Sequence, residues 1–213
     1  MILRNAPMPA ALQSAVLMAV LTLASLPVML RDRVHAKPTP AQWLGVAWLG
    51  PTAAIVTLPP ATAYVVAVAD AVARETLAAQ ADAAGHQPVT LVHPSAVVGS
   101  DVRTSEGVVV AAHCSLTSNI AIGRHVHVDR ACTVGHDAVL EDFVRLNPGA
   151  VVSGKVTMRR GSTLGTGAVT RQGVEIGAGT YVGAGAAVVS DLPRGIVAVG
   201  VPARATRDVG DRE

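Results

Sequence analysis

The sequence predicts a mainly β protein: a solenoid of very short parallel strands over residues 91–193, preceded by a small α/β domain over 1–90 and followed by a tail at 194–213. Three observations predict it. A branched or aliphatic residue recurs at every sixth position from 92 to 188, and a small or β-branched residue recurs four places after nearly all of them. Aromatic residues make up only 2% of the chain, as expected of an interior too thin for rings. The first ninety residues lack the repeat and alternate strand-like with helix-like runs. A period of six is incommensurate with the 3.6 of a helix, whereas side chains of a strand alternate with period two. Two inward residues in six therefore describe short strands separated by bends, and such units bury their apolar faces only by stacking on one another.

The N-terminal elements come first. Residues 6–30 carry no charge and are flanked by Arg4 and by Arg31, Asp32 and Arg33, so a membrane span or a secretory signal has to be weighed. Pro27 interrupts the stretch, 12–23 has the alanine- and leucine-rich character of a helix, and 27–30 reads as a short buried strand. The expectation is a packed domain with no membrane span. Residues 54–57 and 64–68 read as further strands and 70–84 as a helix ending near Gly85.

The repeat itself is similar to the hexapeptide repeat of left-handed parallel β-helices, in which three hexads make one triangular coil and residue i stacks on i+18. Counted in eighteens, Ala96, Cys114, Cys132, Ala150, Ala168 and Ala186 form a column of small side chains. Beside it Val98, Leu116, Val134, Val152, Thr170 and Val188 form a larger one. Small beside large in register fills a narrow prism without voids. The only two cysteines, Cys114 and Cys132, fall on the small column and read as reduced, buried hydrophobes rather than as a disulfide or metal site.

The formal charge of +2 names neither an acidic nor a basic partner, and no Lys/Arg stripe marks a nucleic-acid surface. No histidine lies eighteen residues from His136, and none follows it, so the three coil-matched ligands of a catalytic zinc site are missing; no metal is expected. His113 and His125 occupy bends on other coils, and His93 caps the start of the solenoid.

His136 and Asp137 occupy the third and fourth positions of the hexad Val134-Gly135-His136-Asp137-Ala138-Val139, at an outward bend. A carboxylate beside an exposed imidazole holds one tautomer and supports a general base. The stretch 134–150 that contains this pair resembles the catalytic segment of the sialic-acid O-acetyltransferases and nucleotide-amino-sugar N-acetyltransferases, a group of hexapeptide acyltransferases. Leu91-Val92-His93-Pro94-Ser95-Ala96 resembles the start of that group's repeat. Val182-Gly183-Ala184-Gly185-Ala186-Ala187-Val188-Val189, with Gly200-Val201-Pro202-Ala203, resembles its coenzyme A end. The likeness covers about residues 64–206.

The resemblance implies an N- or O-acyltransferase that uses acetyl-CoA or another acyl-CoA without a metal. In it His136 takes a proton from a small amine or alcohol acceptor, Asp137 stands for the family's usual Glu, and the Gly154 N–H, one coil on, steadies the oxyanion. Thr166, Ala184, Arg145 and Arg204 are implied on the coenzyme side. Asp129, where the family commonly has Asn, and Arg145, in place of a second histidine, are implied on the acceptor side. The family also implies a cytoplasmic homotrimer whose grooves between prisms complete the site. One departure concerns the acceptor. Where nucleotide-sugar members open with a Gly-rich phosphate turn, residues 1–10 hold no glycine, and Pro7 and Pro9 each remove an N–H. Ala69 likewise replaces a glycine. The expected acceptor is therefore not a UDP-sugar. The competing reading is a non-catalytic solenoid used for binding or assembly.

Overall fold

A computed structural model describes residues 52–210. The helix expected at 12–23, the strand at 27–30 and the glycine-free segment 1–10 lie outside the described residues. The described chain forms two compact units, one of residues 52–68 and 76–89, the other of 69–75 and 90–210.

In the first unit, strand β1 (Ala63–Tyr64) pairs in parallel with β2 (Gln87–Pro88). Between them in sequence runs helix α1 (Ala71–Ala83). The expected helix is thus present, and its ends have local causes. The Asp70 carboxylate accepts the Ala73 N–H at 2.9 Å, an N-cap, and Gly85 takes φ +77° just past the C-terminus. Two expectations need correction. Residues 54–57 belong to a 3-10 helix (Thr52–Thr57), and of 64–68 only Tyr64 enters a strand. A short apolar run suits either geometry, and periodicity cannot separate them. The run 64–68 is nonetheless apolar and largely buried, and Tyr64 donates its hydroxyl to Asp82 Oδ1 at 2.6 Å. Among the described residues, no helix is long and apolar enough to cross a membrane.

The second unit contains the solenoid. Its strands stack in parallel with partners eighteen residues apart, as in Thr133 with Ser115 below and Val151 above. Three faces result. Face 1 contains Val97–Val98, Ser115–Leu116, Thr133–Val134, Val151–Val152, Val169–Thr170 and Ala187–Val188. Face 2 contains Val102–Thr104, Ile120–Ile122, Val139–Leu140, Thr157–Met158 and Glu175–Ile176. Face 3 starts at Leu91–Val92, includes Arg145–Leu146 and Tyr181–Val182, and ends with Ile196–Val199 and the antiparallel Arg204–Asp208.

Both interior columns are sealed: Cys114, Cys132, Ala150, Ala168, Leu116, Val134 and Val152 are all buried. Both thiols are free. Thr170 fits the aliphatic column because its hydroxyl accepts the Ser153 N–H at 2.9 Å, so no buried polar atom is left unpaired there. The first coil departs from the pattern: Val92 and Thr104 are exposed and Val98 is only half-buried. Among the described residues no coil precedes it, so each has a stacked neighbour on one side alone.

One regularity was not expected. Every sixth residue from 101 to 185 has a positive φ, always at the fourth hexad position. This left-handed residue turns each corner of the prism. Glycine fills many of these positions, while Asp101, Asn119 and Asp137 are the short polar types that tolerate the region and His113 and His125 belong to a type enriched there. Ala131, Phe143 and Lys155 adopt it against their preference.

Candidate active site

The corner between faces 1 and 2 holds the predicted pair. Strand Thr133–Val134 delivers the chain to the bend, and Val139–Leu140 carries it away. His136 Nδ1 lies 2.7 Å from Asp137 Oδ2, with the two side chains 50% and 39% exposed. Asp137 is tied down from the coil below, where Asn119 Nδ2 donates to its Oδ1 at 2.7 Å. These two hydrogen bonds, helped by the charge of Lys155 one coil above, hold the Asp137 carboxyl below the ordinary carboxylate range. An ionised carboxylate only accepts, so Nδ1 carries the hydrogen and, in the neutral ring, Nε2 keeps the lone pair.

The ring edge bearing Nε2 lies against Gly154. A Cβ there would sit 2.6 Å from Nε2 and 2.8 Å from Cε1. The glycine is therefore needed for the imidazole to lie flat on the next coil. Its N–H has no acceptor among the described residues. Gly135, by contrast, packs against the backbone of the next coil in the same way as Gly165 and Gly177, which marks it as architecture.

The other predicted residues lie elsewhere on the prism. Asp129, Thr166 and Ala184 fall in bends between faces 3 and 1, and Arg145 begins a strand of face 3. Arg145 Nη2 and Asp129 Oδ2 stand 3.7 Å apart, so the two departures from the family pattern are partners of each other. Thr166 and Ala184 are exposed one coil apart, with N–H groups that no acceptor among the described residues uses. Arg204 starts the last strand, after the cis Val201–Pro202 bond, and its Nη1 donates to the Ala203 carbonyl at 3.0 Å. Within one chain the His136 corner and the Thr166–Ala184 corner are thus different edges of the prism. Among the described residues no His/Cys/Asp/Glu cluster is built to hold a metal ion.

Asn119 is the member of the site that the sequence reading missed. Counting back eighteen from Asp137 lands on it, so the signal was present in the same arithmetic that located Gly154.

His93 and His125 take part in packing and local hydrogen bonding. His93 Nδ1 accepts the Ser95 N–H at 3.1 Å and lies 2.9 Å from its hydroxyl, a local clasp on the first coil. His125 is buried at the corner between faces 2 and 3, stacked on Phe143 with ring centroids 5.4 Å apart. Arg160 caps the same stack, 4.8 Å from the Phe143 centroid, and the buried Arg74 donates to the Phe143 carbonyl. Burial and the nearby charge of Arg145 lower the Arg74 guanidinium to about 10.

No protein-family model matches the chain. A 60-residue stretch, 28% of this chain, is 34% identical to GDP-perosamine N-acetyltransferase of Escherichia coli O157:H7; it spans 27% of that relative's length. Solved structures match far more. A histidine-to-asparagine variant of perosamine N-acetyltransferase from Caulobacter crescentus, in complex with CoA and GDP-perosamine, is 31% identical with a TM-score of 0.75, covering 88% of this chain and 92% of that one. The acetyltransferase domain of PglB from Neisseria gonorrhoeae, in complex with acetyl coenzyme A, is also 31% identical with a TM-score of 0.74, over 87% and 93%. WeeI from Acinetobacter baumannii is 28% identical with a TM-score of 0.74, over 88% and 93%. On the stacked eighteen-residue coils and these likenesses, the chain belongs to the hexapeptide-repeat, left-handed β-helix acetyltransferases.

Proposed function

We propose that this protein transfers an acyl group, acetyl by family habit, from an acyl-CoA to the amine or hydroxyl of a small acceptor. The carrying observation is the imidazole of His136, held at Nδ1 by Asp137 and laid with Nε2 over Gly154. The acceptor nitrogen or oxygen attacks the thioester carbonyl while Nε2 takes its proton. The carbon–sulfur bond then breaks and the CoA thiolate leaves, recovering a proton from the imidazolium. The Gly154 N–H, which has no acceptor among the described residues, supplies a donor for the oxyanion. No covalent enzyme intermediate is required.

Thr166, Ala184 and Arg204 are assigned to the coenzyme, the first two through unclaimed backbone N–H groups and the third through its guanidinium. Because this edge is not the His136 edge, the reading calls for a second copy of the chain to bring the two together, in a homotrimer. Face 1, which lies between those edges, supports this. Its outward residues Val97, Ser115, Thr133, Val151, Val169 and Ala187 carry no charge, and Val97 is 66% exposed. Arg145 and Asp129, already paired, then present one cation and one anion to the acceptor or coenzyme.

A groove of about 460 Å³ lies on face 2, with Ala121, Val139, Arg103 and Arg160 in its lining; Arg103 links it to the His136 corner by donating to Asn119, the partner of Asp137. It is assigned to the acceptor. The C. crescentus relative is bound to a GDP-sugar. Residues 1–10 of this chain, without glycine and with two prolines, argue against a UDP-sugar in that role. The test is thiol release from acetyl-CoA with panels of amines, alcohols, and GDP- and UDP-amino sugars, using the full chain and His136→Ala. Turnover that depends on His136 with any acceptor supports the reading. Equal turnover by both chains removes the base, and a UDP-amino sugar acylated as fast as the best acceptor removes the acceptor assignment.

A further inference from the structure

The fourth hexad positions along the corner between faces 1 and 2 form a column of left-handed residues, Asp101, Asn119, Asp137, Lys155 and Gly173, each eighteen after the last. Two of its members act on the carboxylate of the one between them. Asn119 donates to Asp137 Oδ1 from below, Lys155 lies on the coil above, and Asp137 Oδ2 faces His136. Asn119 is itself placed, because Arg103 Nη2 donates to its Oδ1 at 3.3 Å. That contact orients the amide, since the oxygen faces the guanidinium and the NH2 is left to face Asp137. The order of hydrogen bonds is thus fixed from Arg103 through Asn119 and Asp137 to His136.

Asp137 needs such support. Its side chain is short, well exposed and attached to a backbone at φ +59°, and it reaches the ring of its own neighbour. Nothing in the His136 hexad holds its second oxygen. With Oδ1 free, the carboxylate rotates into water, Nδ1 loses its acceptor, and the ring is released to its other neutral tautomer, in which Nε2 carries the hydrogen and is no base.

We propose that Asn119, oriented by Arg103, is a positioning residue that locks the Asp137 rotamer and so holds His136 in the tautomer with a hydrogen on Nδ1 and a lone pair on Nε2. Its catalytic consequence rests on the reading of His136 as the base; its structural content does not.

The experiment uses the full chain labelled with 15N-histidine, in the wild-type protein and in Asn119→Gly. Glycine removes the amide and suits φ +52°, so the coil is kept. The His136 signals are assigned by their loss in His136→Ala. In the wild type with the ring in its neutral form, Nδ1 resonates as a protonated nitrogen and Nε2 as an unprotonated one. In Asn119→Gly the pattern moves toward the opposite tautomer, and in Arg103→Ala it moves part of the way. With that hydrogen bond to a charged group lost, kcat in Asn119→Gly falls about tenfold with the KM for acyl-CoA unchanged. A His136 tautomer unchanged in Asn119→Gly overturns the proposal. So does an unchanged kcat in an enzyme whose turnover depends on His136. If His136→Ala keeps full activity, the base reading fails by itself, and the nitrogen shifts still decide the role of Asn119.

Discussion

His136 and His125 lie on the same solenoid and meet opposite fates. His136 occupies a third hexad position between faces 1 and 2. There the ring lies on Gly154, half exposed, with a carboxylate on one nitrogen. His125 occupies a fourth position between faces 2 and 3, where the left-handed backbone and the stacked ring of Phe143 bury it to 1% exposure. The same side chain is a reagent at one corner and a packing element at another. One step in the hexad, and the size of the residue eighteen away, decide which.

The sharpest way to break that contrast is to remove each ring. His136→Ala is expected to lower kcat by about two to four powers of ten, the range of a positioned general base. It leaves stability within about 0.5 kcal/mol, as for an exposed side chain. Steady-state acyl transfer and a thermal melt read the two quantities, and a large loss of stability with little loss of rate would reverse the assignment.

Phe143→Ala probes the other corner. Removing a buried ring costs about 3 kcal/mol from lost burial and the cavity left under Arg160 and over His125, measured by denaturant unfolding. Alanine keeps the Cβ and so the cost of φ +60°, and the loss therefore reads burial and cavity alone. Unchanged stability would show that the stack fills no space that matters. Gly107→Ala approaches the same stack from below, because a Cβ there would meet His125 Nδ1 at 2.3 Å, at a residue with φ +72°. About 2 kcal/mol is expected, again with kcat intact.

How far these two corners could be read from the sequence follows from what each depends on. The interior columns, Cys114 and Cys132 among them, and the placement of Gly154 on His136 follow from counting eighteens, because the parallel stack repeats without a slip. Asn119 was reachable by the same count. The fate of His125 was not, since it needs the rule that every fourth hexad position turns left-handed. That rule is obscured wherever Ala131, Phe143 or Lys155 stands in place of glycine or asparagine. The hydrogen bond from Arg74 to the Phe143 carbonyl joins residues 69 positions apart and obeys no period at all. Outside the repeat only local chemistry speaks. Asp70 and Gly85 marked the ends of α1, while the apolar run 54–57 fitted a strand as well as the 3-10 helix it forms.

A pH titration sharpens the His136 corner alone. The Asp137 carboxyl is depressed by its hydrogen bonds to His136 and Asn119, so its grip on the ring is present above the ordinary carboxylate value and is lost only as the pH falls through the depressed one. A loss of activity on mild acidification therefore does not come from Asp137. Carboxyl-carbon NMR is expected to show Asp137 titrating below exposed aspartates, and Asn119→Gly to move that midpoint upward. A midpoint at the ordinary value in the wild type would show that neither hydrogen bond persists in solution.

The smallest effect tests the corner rule that separates the two histidines. Ala131 lies on an exposed bend at φ +57°, in the column whose next members are Gly149, Gly167 and Gly185. Its side chain is exposed, so the left-handed backbone costs about 1–2 kcal/mol with little burial to offset it. Glycine removes that cost and adds about 0.5–1 kcal/mol of chain entropy in the unfolded state. Ala131→Gly is therefore expected to stabilise the protein by about 0.5 kcal/mol, the reverse of what glycine does within a strand, with kcat unchanged. The same substitution at Val151, on face 1 with an ordinary φ, is expected to destabilise. If both positions lose stability alike, the sixfold left-handed register is not what bends the chain, and the different fates of His125 and His136 need another cause.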